Sequence, residues 1–150
     1  PVLEICGRLA EKYPGFSLRS LDADTVSRYT NDLSPEQFTL LRGTVENHDI
    51  TREALRELRA EHPDRQRIGA LLTRHQRVLR DVLNISTPKI DAMLDAALKA
   101  GALGGKINGS GGGGCMFAYA PDNPEAVAEA IKKAGGRAWV IRSSPGVMKA

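Results

Sequence analysis

A run of glycines between two apolar segments constrains this 150-residue chain more than any other feature. Eight of its 15 glycines fall between Gly101 and Gly114, and the last six positions of that stretch read Gly-Ser-Gly-Gly-Gly-Gly. Because glycine loses more backbone freedom on folding than any other residue, so dense a run destabilises a chain that makes no use of it. We therefore expect this loop to have a specific task.

The loop carries no negative charge. Between Gly101 and Pro121 there is no Asp or Glu, and Lys106 is the one side chain that is fully charged at neutral pH. Successive backbone N–H groups without carboxylates nearby form a positive concavity that suits an anion. We predict that a phosphate group lies against the six loop residues, which are Gly109, Ser110, Gly111, Gly112, Gly113 and Gly114. The alternative is a flexible hairpin loop without a ligand.

Three familiar phosphate loops do not match this pattern. A Walker A loop requires Gly-Lys-Ser or Gly-Lys-Thr before a helix, and here the apolar run Cys115–Ala120 indicates a strand instead. A dinucleotide fingerprint also requires a helix after the glycines. The GXXG clamp of KH domains requires a basic face for nucleic acid, which this part of the sequence lacks. The loop therefore belongs to some other class.

Apolar periodicity predicts an α+β fold around the loop, with helices over residues 2–13, 35–61, 68–82, 88–100 and 124–134 and a short helical segment ending at Tyr29. Ser34-Pro35 and Thr87-Pro88 are typical helix starts. Strands are predicted at 105–108, 115–120 and 138–141. The tail over 143–150 is expected to be loose. The order of elements indicates a small antiparallel sheet preceded by helices.

Composition narrows the class of protein further. With 41% apolar and 26% charged residues, the chain is typical of one compact globular domain. No apolar run approaches the roughly 18 residues that cross a bilayer, and the two cysteines suggest neither a disulfide framework nor a metal site. The net charge of +3 comes from arginines interleaved with carboxylates, so we expect no nucleic-acid partner. A cytoplasmic protein is predicted.

The stretch from Gly104 to Cys115 resembles the third conserved motif of the GHMP kinases, the superfamily of galactokinase, homoserine kinase, mevalonate kinase and phosphomevalonate kinase. His75 stands where galactokinases commonly have a His. Four further segments are similar to galactokinase sequences, namely Phe16–Ser20, Val45–Asn47, Leu79–Asp81 and Ser86–Asp91. The resemblance covers most of the chain and is densest over residues 71–119.

This resemblance implies that residues 1–150 are one domain, the ferredoxin-like carboxy-terminal half of a two-domain kinase. The family's catalytic Asp, its GExxD-like segment and its Gly-Leu-Ser-Ser-Ser phosphate loop have no counterpart here. ATP and Mg²⁺ would be bound mainly by an amino-terminal half, and this chain alone would be inactive. Galactose is the expected acceptor, although Gly112 stands where galactokinases usually carry an aromatic residue and Ser110 where they often carry Gly. A heptose, fucose or mevalonate acceptor remains open, as does a non-catalytic module that binds a small ligand.

Residues near the loop have simpler interpretations. We expect Lys106 to point to solvent and His75 to be a core histidine that is hydrogen-bonded to a neighbour. Cys115 is predicted to be a small buried hydrophobe. The arginines of one helix, Arg74, Arg77 and Arg80, are predicted to form a basic outer face, or else to face a partner domain. None of these side chains is predicted to be catalytic.

Overall fold

The structure is a computed structural model that describes residues 1–142. Within them, α1 spans Val2–Lys12, α2 Pro35–Leu58, α3 Arg65–Arg77, α4 Pro88–Lys99 and α5 Pro124–Lys133, while the strands are β1 Gly104–Asn108 and β2 Cys115–Tyr119. Two 3₁₀ helices, Leu18–Ser20 and Val26–Asp32, and a π-helical turn, Val78–Val82, complete the elements. The predicted α+β class with an antiparallel sheet is confirmed. The tail over 143–150 lies outside the described residues.

Helix starts follow local sequence chemistry. Ser34 forms a capping box with Gln37, whose backbone N–H it accepts at 3.2 Å, and a proline occupies the first turn of α2. Thr87 accepts the N–H of Ile90 at 3.3 Å before α4. The side chain of Asp64 caps α3 in the same way. Each cap satisfies backbone donors that have no partner inside the helix.

Most of the buried apolar side chains belong to two separate clusters. The amino-terminal cluster joins α1, the second 3₁₀ helix and α2, and its buried members are Ile5, Leu9, Leu21, Val26, Leu41 and Val45. The second cluster joins α4, the sheet and α5, and its buried members are Leu79, Ile90, Met93, Leu94, Ala97, Ala102, Ile107, Val127 and Ile131. A smaller group of Ile50, Leu71 and Val78 connects α2 with α3.

Helix α3 crosses β1 with its backbone almost touching the strand. A Cβ placed on Gly104 would collide with the carbonyl of Gly69, and one on Gly69 would collide with the backbone of Leu103. Only glycine allows two backbones to approach so closely. This contact fixes the height of α3 above the strand that leads into the glycine loop.

Three predicted elements differ from the structure. Residues 138–141 form no strand: Ala138 packs against the second cluster, but Trp139 and Ile141 are 74% and 84% exposed, and the sheet of the described residues has two strands. An apolar, β-prone segment becomes a strand only where an edge is available to pair with it. The predicted helix over 68–82 starts earlier, at Arg65, and changes at Arg77 into the π-helical turn, and the short segment near Tyr29 is a 3₁₀ helix.

Within residues 1–142, no helix combines the length and the apolar character that a membrane span requires.

Candidate functional site

The glycine loop closes a β-hairpin. β1 and β2 pair antiparallel from Gly104 opposite Tyr119 to Asn108 opposite Cys115, so residues 109–114 form a six-residue connection. All five of its glycines have left-handed φ: Gly109 97°, Gly111 82°, Gly112 73°, Gly113 132° and Gly114 82°. Other residues adopt such φ values rarely and at a cost. The density of glycine is therefore a conformational requirement of this turn.

The loop is open on one side. Ser110 and three of the glycines are exposed, while Gly111 and Gly113 are half-buried. A Cβ added at Gly109, Gly112, Gly113 or Gly114 would meet no heavy atom of the described residues within 4 Å. Of the six loop residues, only Gly112 donates its backbone N–H to another residue within 1–142. The remaining N–H groups are free to bind an anion.

The other side of the loop rests on the connection between the π-helical turn and α4. The N–H of Gly112 donates to the carbonyl of Ile85 at 2.8 Å. A Cβ on Gly111 would lie 2.5 Å from that same oxygen and 2.6 Å from the Ile85 Cβ. The loop is thus held at Gly111 and Gly112, while Gly109, Gly113 and Gly114 have open space around them.

Lys106 lies on β1 behind the loop and not within it. The expectation that it points to solvent is wrong, because the side chain is half-buried, lies 5.6 Å from the centre of the Phe117 ring and donates to the Ile107 carbonyl at 2.5 Å. Burial lowers its pKa. Lys106 therefore packs along the sheet, and the loop residues themselves carry no charge.

The side chain of His75 is half-buried and makes no hydrogen bond within the described residues, so the predicted hydrogen-bonded core histidine is only partly correct. Burial, and secondarily the positive charge of Lys106, lower its pKa from about 6.5 to about 4. The imidazole is therefore neutral at neutral pH.

Cys115 is exposed, which corrects the prediction that it is buried. It begins β2 at the loop end of the hairpin, paired with Asn108, and apolar packing starts only farther along the strands, so the apolar character of the residue gave the wrong environment. Its thiol donates weakly to the Met116 carbonyl at 3.6 Å. No second thiol or metal-binding group of three His, Cys, Asp or Glu accompanies it within residues 1–142.

The three arginines Arg74, Arg77 and Arg80 do not form a continuous basic face. Arg74 pairs with Glu46 at 3.0 Å and with Glu53 at 3.4 Å, which joins α3 to α2. Arg80 pairs with its neighbour Asp81 at 2.7 Å. All three arginines are exposed, as an outer face requires, but carboxylates compensate the charges of Arg74 and Arg80, so this face is less basic than predicted.

Sequence reasoning missed Gln76, which is 6% exposed. Its side-chain oxygen accepts the N–H of Ile107 at 2.9 Å, and its nitrogen donates to the hydroxyl of Ser86 at 3.2 Å. Ser86 in turn donates to Asp91 at 2.6 Å. The only signal was a polar residue beside the apolar stripe of a helix. A cleft of about 190 Å³ lies next to this chain of bonds, lined in part by Arg77, Asp95 and Gly105.

Comparison with known proteins gives one family and two kinds of relative. The family model described as "GHMP kinases C terminal" matches residues 51–137. The mevalonate kinase of Pyrococcus furiosus is 46% identical over 79 residues, which are 53% of this chain and 23% of that protein. For the mevalonate kinase of Thermococcus onnurineus the values are 50% over 66 residues, 44% and 20%.

The galactokinase of Mycobacterium tuberculosis is more distant, with 37% identity over 67 residues, 44% of this chain and 18% of that protein. The chain thus spans less than a quarter of the length of each of these relatives. The family match covers more than half of the chain and includes α3, α4, both strands and the complete glycine loop. The resemblance inferred from the glycine motif is thereby confirmed, and the chain belongs to the GHMP kinases as a C-terminal domain of that family.

Proposed function

We propose that this chain is the carboxy-terminal domain of an ATP-dependent kinase that transfers the γ-phosphoryl group to a hydroxyl of a small molecule. The observation that carries the proposal is the glycine loop, with five left-handed glycines and backbone N–H groups that have no acceptor within residues 1–142. An amino-terminal half of the same kinase would supply the catalytic base and a second phosphate loop. The two halves together would then form the active site.

The loop fits a phosphate and not a metal ion. Backbone N–H groups in successive turn conformations bind anions, and no carboxylate lies on the loop to repel one. Mg²⁺ takes carboxylate and phosphate oxygens, so the amino-terminal half would hold it, where it would neutralise charge on the phosphates of ATP. In phosphoryl transfer the negative charge is spread over the phosphoryl oxygens, and fixed N–H donors stabilise it without rearranging. That is the contribution we assign to Gly109–Gly114.

We propose mevalonate as the first acceptor to test. Relatives named mevalonate kinase match at 45–50% identity, whereas those named galactokinase match at 37% over a similar length. Gly112, where galactokinases usually carry an aromatic residue, also favours an acceptor other than galactose. Galactose, the acceptor expected from the sequence, remains the second candidate because of the galactokinase matches.

The experiment is an ADP-release assay on the intact kinase, meaning this chain together with the amino-terminal half proposed above. We expect turnover with mevalonate above that with galactose, and none from residues 1–150 alone. Gly113→Val should lower kcat/KM about 100-fold, because the loop donors are misplaced, with a small change in the unfolding midpoint. Leu3→Val, at an 88% exposed site on α1, is the control and should leave both measurements unchanged.

Two results would contradict the proposal. Turnover by residues 1–150 alone would show that no second half is needed. An intact protein that binds neither ATP nor acceptor and has no turnover would favour the non-catalytic module instead.

A further inference from the structure

The connection between the π-helical turn and α4, residues 83–86, lies directly under the glycine loop. Gly112 donates its N–H to the Ile85 carbonyl at 2.8 Å, and Gly111 packs so closely on Ile85 that a Cβ there would be 2.5 Å from the same oxygen. The consecutive loop residues Gly111 and Gly112 therefore both contact Ile85. The position of Ile85 decides where the centre of the loop lies.

The helical side of this connection is set by backbone geometry. The N–H of Leu83 donates to the Val78 carbonyl and the N–H of Ile85 to the Leu79 carbonyl, both at 3.0 Å. Between them Asn84 has φ 53°, the one non-glycine residue with left-handed φ among residues 1–142. Asn adopts this conformation more readily than other non-glycine residues. Its side chain is exposed, so the backbone and not packing requires Asn or Gly at this position.

The other side of the connection is held by side chains. The buried Gln76 donates to Ser86, and Ser86 donates to Asp91 at the start of α4. Gln76 also accepts the N–H of Ile107, two residues before the loop begins. Because an unsatisfied buried donor is costly, Gln76 ties the strand that enters the loop to the connection beneath it.

We propose that Asn84 and Gln76 are positioning residues for phosphate binding. Asn84, through its left-handed backbone, and Gln76, through Ser86, hold the Ile85 carbonyl in place, and that carbonyl holds Gly112 so that the free N–H groups on either side converge on one anion. Neither residue touches the nucleotide in this scheme. The inference rests on the phosphate role proposed for the loop and adds the parts that shape it.

The main test compares Asn84→Val with Asn84→Gly in the intact kinase. Valine disfavours left-handed φ, so we expect the KM for ATP to rise and kcat/KM for ATP to fall about 10- to 100-fold, as misplaced binding groups do. Glycine accepts the same φ and should restore the parent values. A residue with a merely structural role would lower the folded fraction and leave the KM for ATP of the folded enzyme unchanged. Circular dichroism at the assay temperature measures that fraction.

A second variant, Ser86→Ala, removes the bridge between Gln76 and Asp91 without touching the backbone. Two hydrogen bonds are lost, and we expect the KM for ATP to rise about fivefold because only part of that loss reaches the loop. Ser27→Ala is the matched control. The exposed Ser27 hydroxyl lies in the second 3₁₀ helix, far from Ser86 in sequence, and donates only to the Asp24 carbonyl. It should leave the KM unchanged.

Gly113→Val separates this inference from the proposed function. If it abolishes turnover while Asn84→Val and Ser86→Ala keep the parent KM for ATP, the positioning inference is overturned and the loop's role stands. If Gly113→Val also works at the parent rate, both fail. A Gly variant of Asn84 as defective as the Val variant would overturn the conformational role. Should Asn84→Val not fold, the KM of Ser86→Ala decides the proposal.

Discussion

The helices before Arg59 are held together by side chains, whereas the glycine hairpin is shaped by its backbone. In the amino-terminal cluster, Leu41 and Val45 are fully buried, and Tyr29 packs edge-on against Tyr13 and Phe16 with ring centres 5.2 and 5.4 Å away. The glycine loop has no side chain larger than that of Ser110. Its structure depends on φ angles and on a few backbone contacts.

The polar contacts of the two regions differ in the same way. In the amino-terminal region Asp32 accepts from the side chains of Lys12 and Tyr13, and these hydrogen bonds lower the pKa of Asp32 and raise that of Tyr13. At the loop, the corresponding contact is between two main-chain groups, the Gly112 N–H and the Ile85 carbonyl. The first region should therefore be sensitive to side-chain volume, and the second to backbone conformation.

The largest expected effect on stability is that of Leu41→Ala. Deleting a fully buried leucine leaves a cavity, and we expect the free energy of unfolding to fall by about 2–5 kcal/mol. The kcat/KM of the folded intact kinase should not change, because the site lies elsewhere. Denaturant unfolding beside the ADP-release assay measures both quantities. Leu58→Ala, at a 60% exposed position, is the control and should cost below about 0.5 kcal/mol. An equal cost at both positions would refute the view that burial stabilises this region.

The next effect compares Gly111→Ala with Gly113→Ala. Both place a Cβ at left-handed φ, which costs about 1–2 kcal/mol. At Gly111 the Cβ also collides with Ile85, and forced displacement adds about 1–3 kcal/mol, whereas Gly113 has open space. Thermal unfolding should therefore rank Gly111→Ala as the less stable. Equal midpoints would mean that the loop does not rest on Ile85.

A smaller effect depends on pH. The pKa of His75 is about 4 in the folded protein and about 6.5 when unfolded, so the unfolded state binds more protons between these values. The contribution of His75 to the free energy of unfolding is fully present above pH 6.5 and is lost as the pH decreases toward 4. It amounts to roughly 1–2 kcal/mol once the partial exposure of the ring is allowed for. His75→Gln should lose this part of the pH dependence. Urea unfolding of both proteins at pH 7, 5.5 and 4.5 measures it, and parallel profiles would contradict the assignment.

The smallest effect is expected for Lys106→Met, which sharpens the contrast between charge and backbone in the hairpin. Methionine keeps the stem over Phe117 and removes the charge, at a cost of about 0.5–1 kcal/mol for the cation–π contact. If the loop binds phosphate through its N–H groups, kcat/KM for ATP should stay within about threefold of the parent, a change below about 0.7 kcal/mol in activation free energy. A loss as large as that of Gly113→Val would transfer the anion-binding role to this lysine.

Local signals predicted most of the elements. The pairs Ser34-Pro35 and Thr87-Pro88 begin helices where expected, and α4 is followed by Gly101 with φ 102°. Both strands that flank the loop were also predicted. Caps and left-handed glycines involve residues within four positions of each other, so short stretches of sequence suffice to specify them.

Elements and environments that depend on distant partners were not predicted correctly. Residues 138–141 are as apolar as a strand, but a strand also needs a neighbouring edge, and apolar content does not report one. Cys115 is exposed because it lies at the loop end of the hairpin, and Gln76 is buried because α3 lies against β1. In each case the environment is created by packing between segments that are far apart in sequence.

The need for glycine at five of six loop positions could be inferred from residue types alone, because φ is a local property and glycine is the residue that tolerates left-handed values. The kinship to the GHMP kinases came from the resemblance of the whole motif from Gly104 to Cys115. Residue types could not show which loop N–H group donates to the protein and which have no acceptor within residues 1–142. That depends on Ile85 reaching the loop from 27 positions upstream of Gly112, and on Gln76 bonding Ile107 from 31 positions away. Hydrogen bonds over such separations form only when helices and strands have packed. The tertiary structure alone therefore holds Gly111 and Gly112 against Ile85 and leaves space around Gly109, Gly113 and Gly114.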